Sequence, residues 1–526
     1  MTGARDNTGP ARRLIVLLVA VTVAQGVYFS QYLIPWEDEP GYLVLGAMAA
    51  RGEIRLFQDE MLGERLPLPF YVLGASQLLA GKSLVAARLL SLSLGALAIV
   101  LLYRVGTSIA GPLCGTLAAL FLSTQALVVA YYATAMYHAL CSLIIAGGLY
   151  LLFVARAPLL GMAAFSLLSL TRPNLAVMVP VVLAALLCQP GTRRERWTLV
   201  AIAVLPPAVF LASSAEHLKI LAYVPILNGL VRPLGYESLF NLGGRALAEA
   251  GGRGWVAGIA WFLRRYIFWC AAGAGLALGW LVLRLRAGRS VLPPAPPIKF
   301  AVLLLVYTLA WQVAILYHYP KSVAAWAVSF APLPALALGY YAARLIEAPG
   351  APPWLRRAAI LGLIVTFALS PTYSTHASMP HPLPPGGTTI AALDRLSRRV
   401  ASLIPEGSRV FLVGSALPAY AAGARPYLQQ IIHTWTLVPE GDPAVLRRSG
   451  LWGRRDIEEW LGRDARYALI VERQLASFKG IRGYDELVAL IDAQLAAHFR
   501  LVAEIDGAPL GSYRVYERRR SVGESG

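Results

Sequence analysis

Charge is scarce in this sequence. Asp, Glu, Lys and Arg make up 14% of its 526 residues, against about 25% in an ordinary soluble chain. Set beside 57% hydrophobic residues and a mean hydropathy of +0.58, that scarcity excludes a disordered chain and a single soluble globule. Lysine is scarcer still, at five residues. Cysteine is limited to Cys114, Cys141, Cys188 and Cys270, each in or beside an apolar run. No CxxC or zinc-like spacing links them, which excludes a disulfide scaffold and leaves structural thiols. No glycine fingerprint follows a predicted strand, so nothing argues for a bound nucleotide. Basic residues exceed acidic ones, 47 to 29. On a soluble chain that excess suggests nucleic acid. Here membrane topology accounts for most of the arginines, and no nucleic-acid partner is expected.

What is present is a succession of apolar runs. About 20 such residues cross a bilayer as a helix, because a helix satisfies its own backbone polar groups. The first run, Leu14 to Ile34, follows Arg5, Arg12 and Arg13 and has no small-residue cleavage site behind it, so it reads as a retained anchor. Others lie at 84–106, 111–131, 134–155, 158–171, 173–189, 197–214, 266–285, 299–318, 322–345 and 356–374, giving about eleven spans. The pair around Arg172-Pro173 is short. With the N-terminus inside, Arg104, Arg156, Arg193-Arg194-Glu195-Arg196, Arg284/Arg286/Arg289 and Arg356-Arg357 all fall on the cytoplasmic side, as the positive-inside rule requires. Three longer segments are then outside: 35–83, 215–265 and everything after about 375.

The last part differs in character. A Pro/Gly-rich stretch at 376–388 reads as a linker. Beyond it, Ile390–Ile404 is amphipathic, Arg409–Val413 and Tyr467–Val471 read as strands, Tyr484–Phe499 as a helix and Tyr513–Glu517 as a strand. The expected architecture is therefore a mainly α, polytopic membrane domain over 1–375 with interfacial helices, and a small extracytoplasmic α/β domain over 389–520. Trp435, Trp452 and Trp460 in that domain suit either a sugar-stacking surface or its buried core.

Clusters of charge outside the membrane carry the information. Directly after the first run comes Pro35-Trp36-Glu37-Asp38-Glu39-Pro40-Gly41-Tyr42. The carboxylates at an apolar boundary suit either a solvated helix cap or a reaction centre. An amphipathic helix over 40–51, the segment Arg65-Leu66-Pro67-Leu68-Pro69-Phe70-Tyr71, a second helix over about 70–80 and Gly81-Lys82 follow. Acids and bases set around a water–lipid boundary match the needs of a lipid with a phosphate head group.

The order and spacing of Asp38-Glu39-Pro40-Gly41-Tyr42, Arg65-Leu66-Pro67-Leu68-Pro69-Phe70-Tyr71 and Ala86-Ala87-Arg88-Leu89, with Leu170-Thr171-Arg172-Pro173 further on, resemble the GT-C membrane glycosyltransferases, in the protein mannosyltransferase and aminoarabinose transferase branch. The resemblance covers residues 14–190 and extends to the later spans by layout. It departs at Met136-Tyr137-His138, where family members often carry Arg-Pro-Asp. The absent second carboxylate leaves a bridging divalent metal open and unsupported, and His138 stands in as a polar contact or as a structural histidine.

The resemblance implies inverting transfer of a sugar from a polyprenyl-phosphate donor to a hydroxyl of a cell-envelope lipid, polysaccharide or protein at the outer face of the membrane, and the arginine- and alanine-rich composition suggests a bacterial inner membrane. Such a displacement needs a carboxylate to take the acceptor's proton and cations to stabilise the departing phosphate. Asp38 is the expected base. Glu39 either takes that role or positions the acceptor. Tyr42, Arg65, Lys82, Arg88, His138, Arg172, His318 and Lys321 are the candidate contacts to the lipid phosphate or sugar. For Lys321, snorkelling at the interface is the competing reading. Arg264-Arg265 suits lipid phosphates generally. A transporter, a lipid-linked saccharide flippase and a polysaccharide polymerase are the alternatives. A transporter concentrates charge at mid-membrane on broken helices, whereas this chain gathers its acids in an outer loop.

Overall fold

The structure, a computed structural model, describes residues 8–35, 38–58, 61, 66–223, 227–236, 260, 262–287, 295–316, 323–348, 351–378, 387–432, 436–507 and 510–519. The expected apolar runs are helical there. In chain order the helices are α1 (Thr8–Tyr32), α2 (Gly46–Ala50), α3 (Pro67–Ala80), α4 (Leu84–Thr124), α5 (Ala126–Tyr132), α6 (His138–Phe153), α7 (Pro158–Ser166), α8 (Pro173–Ala176), α9 (Met178–Leu187), α10 (Arg193–Ala212), α11 (Ile267–Ala287), α12 (Pro296–Leu316), α13 (Val323–Ser329), α14 (Pro332–Glu347) and α15 (Pro353–Ser378). Among the described residues, four helices are long and apolar enough to cross a membrane: α4, α10 and the parts of α1 and α15 spanning 13–32 and 353–370. The expected eleven spans are not established by helix length. Five further apolar helical segments, at 138–153, 158–170, 173–187, 267–283 and 296–312, are shorter.

Local chemistry sets the breaks. α4 is two antiparallel arms, because Ala110 and Gly111 leave helical dihedrals and Gly111 turns at φ +85°, where only glycine is at ease. The arms touch backbone to backbone: a Cβ on Gly106 would fall 2.8 Å from Gly115 Cα. This separation agrees with the two runs at 84–106 and 111–131, although the second stops at an extended Gln125 and resumes as α5. The run at 322–345 is not one helix. It breaks between α13 and α14, where Pro332 follows and the residue before a proline resists continuing a helix. The Ser142 hydroxyl donates to the carbonyls of Val328 and Ser329, at 3.1 and 3.2 Å, which α13 leaves open. At α10, Thr192 and Glu195 exchange capping bonds, side chain to backbone, at 3.2 and 2.8 Å. The buried centre of the bundle lies where α14 crosses α4, close enough that a Cβ on Gly339 would meet the Ala118 amide nitrogen at 2.5 Å.

The C-terminal part carries a five-stranded sheet of order β2-β1-β3-β5-β4, with β1 (Arg409–Val413), β2 (Arg425–Pro426), β3 (Tyr467–Val471), β4 (Phe499–Asp506) and β5 (Ser512–Arg518). The β2-β1-β3 part is parallel and the β3-β5-β4 part antiparallel. The expected strands are β1, β3 and β5. The helices Thr389–Ala401 and Tyr484–His498 match the amphipathic segment at 390–404 and the helix expected at 484–499. α15 continues to Ser378, beyond the expected start of the linker, and 379–386 lie outside the described residues. Trp452 is fully buried, and Trp460 is stacked on Tyr427 at 4.1 Å, so both belong to the core of this part. Trp435 lies outside the described residues.

The three segments expected outside the membrane touch one another or the end of α1. The Thr389 hydroxyl donates to the carbonyl of Tyr32 at 2.7 Å. Arg448 donates to the carbonyl of Leu234 at 3.0 Å. His217 Nε2 lies 3.3 Å from the carbonyl of Leu56.

Candidate active site

Asp38 opens a helical segment, Asp38–Pro40, that runs into a π-turn at Gly41–Leu45 and then into α2. π-turns recur at functional positions. This one places Tyr42 fully buried against Phe70 and Tyr137, with ring centroids 5.0 and 6.1 Å away. α2 is held by α3 through a glycine pair: a Cβ on Gly46 would lie 2.2 Å from the Phe70 carbonyl oxygen, and one on Gly74 would lie 2.3 Å from Gly46 C. Only glycines allow that approach.

Glu39 and Arg88 are both fully buried and form a bidentate pair, Nε to Oε1 at 2.9 Å and Nη2 to Oε2 at 2.7 Å. Arg88 Nη1 also donates to the carbonyls of Ser30 and Leu33, at 2.7 and 3.1 Å. Glu39 Oε1 accepts the Ala135 amide as well, at 2.6 Å. One charge pair thus ties the end of α1, the Asp38 segment, α4 and the turn before α6. Its geometry suits positioning: both carboxylate oxygens are engaged inside the fold.

Asp38 is half-buried and lies within electrostatic reach of Tyr131, which also faces Tyr137 and Arg265. Tyr266 is likewise close to Tyr131 and Arg265. The imidazole of His138 is fully buried between Tyr131 and Tyr137, at centroid distances of 4.7 and 4.1 Å. Its Nδ1 is 2.9 Å from Ser329 Oγ. Arg172 lays its guanidinium over the Tyr137 ring at 4.2 Å. So Asp38, Tyr42, His138 and Arg172 gather around one aromatic wall, and Arg265, noted in the sequence only for general lipid contact, joins them. Arg264 beside it is exposed. Lys82 stands elsewhere: it is exposed, 5.3 Å from the Tyr420 ring centroid in the C-terminal part. Arg65, His318 and Lys321 lie outside the described residues.

An apolar cavity of about 550 Å³ opens between α11, α12 and α14. Phe262, Tyr266, Trp269, Leu305, Leu309 and Phe330 are among its lining residues. Tyr266 borders both the cavity and the charged cluster. Among the described residues no three His, Cys, Asp or Glu side chains come together as a bound metal would need, and no step is assigned to one.

Tyr131, Tyr137 and Tyr266 were not singled out in the sequence, where tyrosines at span ends pass as interface anchors. Asn174 and Gln312, hydrogen-bonded to each other at 3.5 Å, were missed too. A lone amide inside an apolar run was the available signal.

The multi-helix bundle with an appended α/β part recurs in known structures. Two solved structures share it across their full length: ArnT from Cupriavidus metallidurans in the apo state, with a TM-score of 0.54, 16% identity and 97% of this chain and 98% of that one covered, and the same protein bound to undecaprenyl phosphate, with a TM-score of 0.52, 14% identity and 98% and 99% covered. No family model and no curated protein matches the chain.

Proposed function

We propose that this protein is a glycosyltransferase that moves a sugar from a polyprenyl-phosphate donor to a hydroxyl of a cell-envelope lipid, polysaccharide or protein. The proposed topology has eleven spans, the N-terminus inside a bacterial inner membrane and residues 389–520 outside. The observation that carries the reading is that half-buried Asp38 and Arg265 both lie within electrostatic reach of Tyr131, and that Tyr266, close to Tyr131 and Arg265, also lines the apolar cavity. A lipid chain fits such a cavity, and its phosphate then reaches cations. The undecaprenyl phosphate in the ArnT structure supports a lipid of this class.

In the proposed reaction the acceptor oxygen attacks the anomeric carbon opposite the phosphate. The carbon–oxygen bond to the phosphate breaks, and its electron pair leaves on the phosphate. Asp38 takes the acceptor's proton as the new bond forms. Arg172 and Arg265 stabilise the negative charge on the leaving group, with Arg65, His318 and Lys321 as further cations for that role. Attack from the far side inverts the anomeric centre. Glu39, tied to Arg88, fixes the segment that presents Asp38.

The test is transfer of labelled sugar from a polyprenyl-phosphate donor to added acceptors in membranes. Asp38→Asn is expected to lower the rate by about 10²–10⁴-fold with expression unchanged. An unchanged rate removes Asp38 from the role. A protein that consumes no lipid-linked sugar and instead passes a solute or a lipid across the membrane is a transporter or flippase.

A further inference from the structure

Folded proteins leave few buried polar atoms without a partner, because each unmet donor or acceptor is costly. Three such atoms lie on His138, Asn174 and Gln312. His138 Nε2 has no hydrogen-bond partner in a fully buried imidazole. The Asn174–Gln312 bond uses Nδ2 of one amide and Oε1 of the other, which leaves Asn174 Oδ1 and Gln312 Nε2 buried and unbonded. Gln312 is 1% exposed. Arg172 connects the set. Its charge reaches His138, its guanidinium covers the neighbouring Tyr137 ring, and Asn174 follows it across Pro173.

We propose that His138, Asn174 and Gln312 are the subsite that reads the donor's sugar, and that this sugar carries hydroxyl groups and no ammonium group. The inference deepens the glycosyltransferase reading and rests on it. Hydroxyls both donate and accept, which suits an open amide N–H, an open amide oxygen and an imidazole nitrogen that serves in either tautomer. An ammonium group would need a carboxylate here. Among the described residues none of the three side chains is hydrogen-bonded to a carboxylate, the charge that reaches His138 is that of Arg172, Glu39 is neutralised by Arg88, and Asp38 is kept for the acceptor's proton.

The donor is favoured over the acceptor by the register of α12. Leu305 and Leu309 line the apolar cavity, and Gln312 follows them at helical spacing on the same face. A lipid chain in the cavity brings its own head group to that end of α12.

The test uses the full-length protein in lipid nanodiscs. Initial rates are measured with undecaprenyl-phosphate donors carrying neutral pentoses or hexoses, and with a donor carrying an amino sugar. The wild type is expected to favour a neutral donor by about tenfold or more in kcat/KM. Gln312→Ala is expected to raise the KM for the donor roughly tenfold and to leave the KM for the acceptor unchanged. Gln312→Glu, which supplies the missing carboxylate, is expected to improve use of the amino-sugar donor. Melting temperatures verify that each variant folds, and Asn174→Ala takes the place of Gln312→Ala if that variant does not. Preference for the amino sugar, a change confined to the acceptor's KM, or an unchanged donor KM in the folded variant overturns the subsite while leaving the transferase standing. A wild type that consumes no donor overturns both.

Discussion

Glu39 and Arg88 hold opposite charges out of water and repay that cost through five hydrogen bonds to each other and to three pieces of backbone. Removing one partner of such a pair leaves the other charge buried alone, at about 3–5 kcal/mol. Arg88→Met is therefore expected to lower the melting temperature of the purified protein sharply. The double variant Glu39→Gln/Arg88→Met is expected to recover much of the loss, since it carries no unpaired charge. Both are expected to slow sugar transfer, because the pair sets the position of Asp38. A double variant as unstable as the single one would show that the backbone bonds, not the charge pairing, matter most. Asp38, Glu39 and Arg88 were legible as candidates from their place beside apolar boundaries. Their division into a half-buried acid and a locked pair was not, because a partner 49 residues away leaves no local pattern. Asn174 and Gln312 were each readable only as a lone amide, and their pairing across 138 residues leaves no local pattern either.

At the level of elements, the glycine contact between α2 and α3 fixes how the Asp38 segment meets the aromatic wall. A side chain at Gly74 must displace the Gly46 backbone, since its Cβ alone would stand 2.3 Å from Gly46 C. Gly74→Leu is expected to reduce transfer about 10²-fold, as small misplacements of reacting groups do. Donor binding in the cavity between α11, α12 and α14, measured by protection against thermal unfolding, is expected to be retained. Full activity in Gly74→Leu would free the Asp38 segment from this contact. The helices themselves were readable because apolar runs of this length have one stable form in a membrane. The break at Pro332 was less visible, since both sides of it are apolar and the run continues through it. The edge strand β4 escaped notice because its burial does not alternate cleanly along Phe499–Asp506.

Across the whole molecule, the C-terminal part rests on the first loop. Arg51 pairs with Glu53 and bonds Tyr420, while Lys82 also faces the Tyr420 ring. The hydrogen bond from Arg51, with Arg425 and Lys82 adding their charge, holds the Glu53 carboxyl below its ordinary 4.5. A lowered carboxyl stabilises the fold fully above that ordinary value and loses its contribution as the pH falls through the lowered one. The contact is thus expected to be intact at neutral pH and to loosen in acid. Because Glu53 is largely exposed, solvent screening keeps the effect small, about a degree in melting temperature. It is measured as the difference between wild type and Glu53→Gln, expected near pH 7 and absent well below pH 4. A difference that persists in acid would assign the effect to something other than this carboxylate. The Glu39–Arg88 pair adds a constraint of another kind, on the order of synthesis. Glu39 leaves the ribosome well before Arg88, so the nascent chain carries an unmatched acid at the membrane until the next long helix arrives. Completion of that helix supplies the charge the acid lacks, and the Ala135 amide, made later still, supplies the last of its bonds.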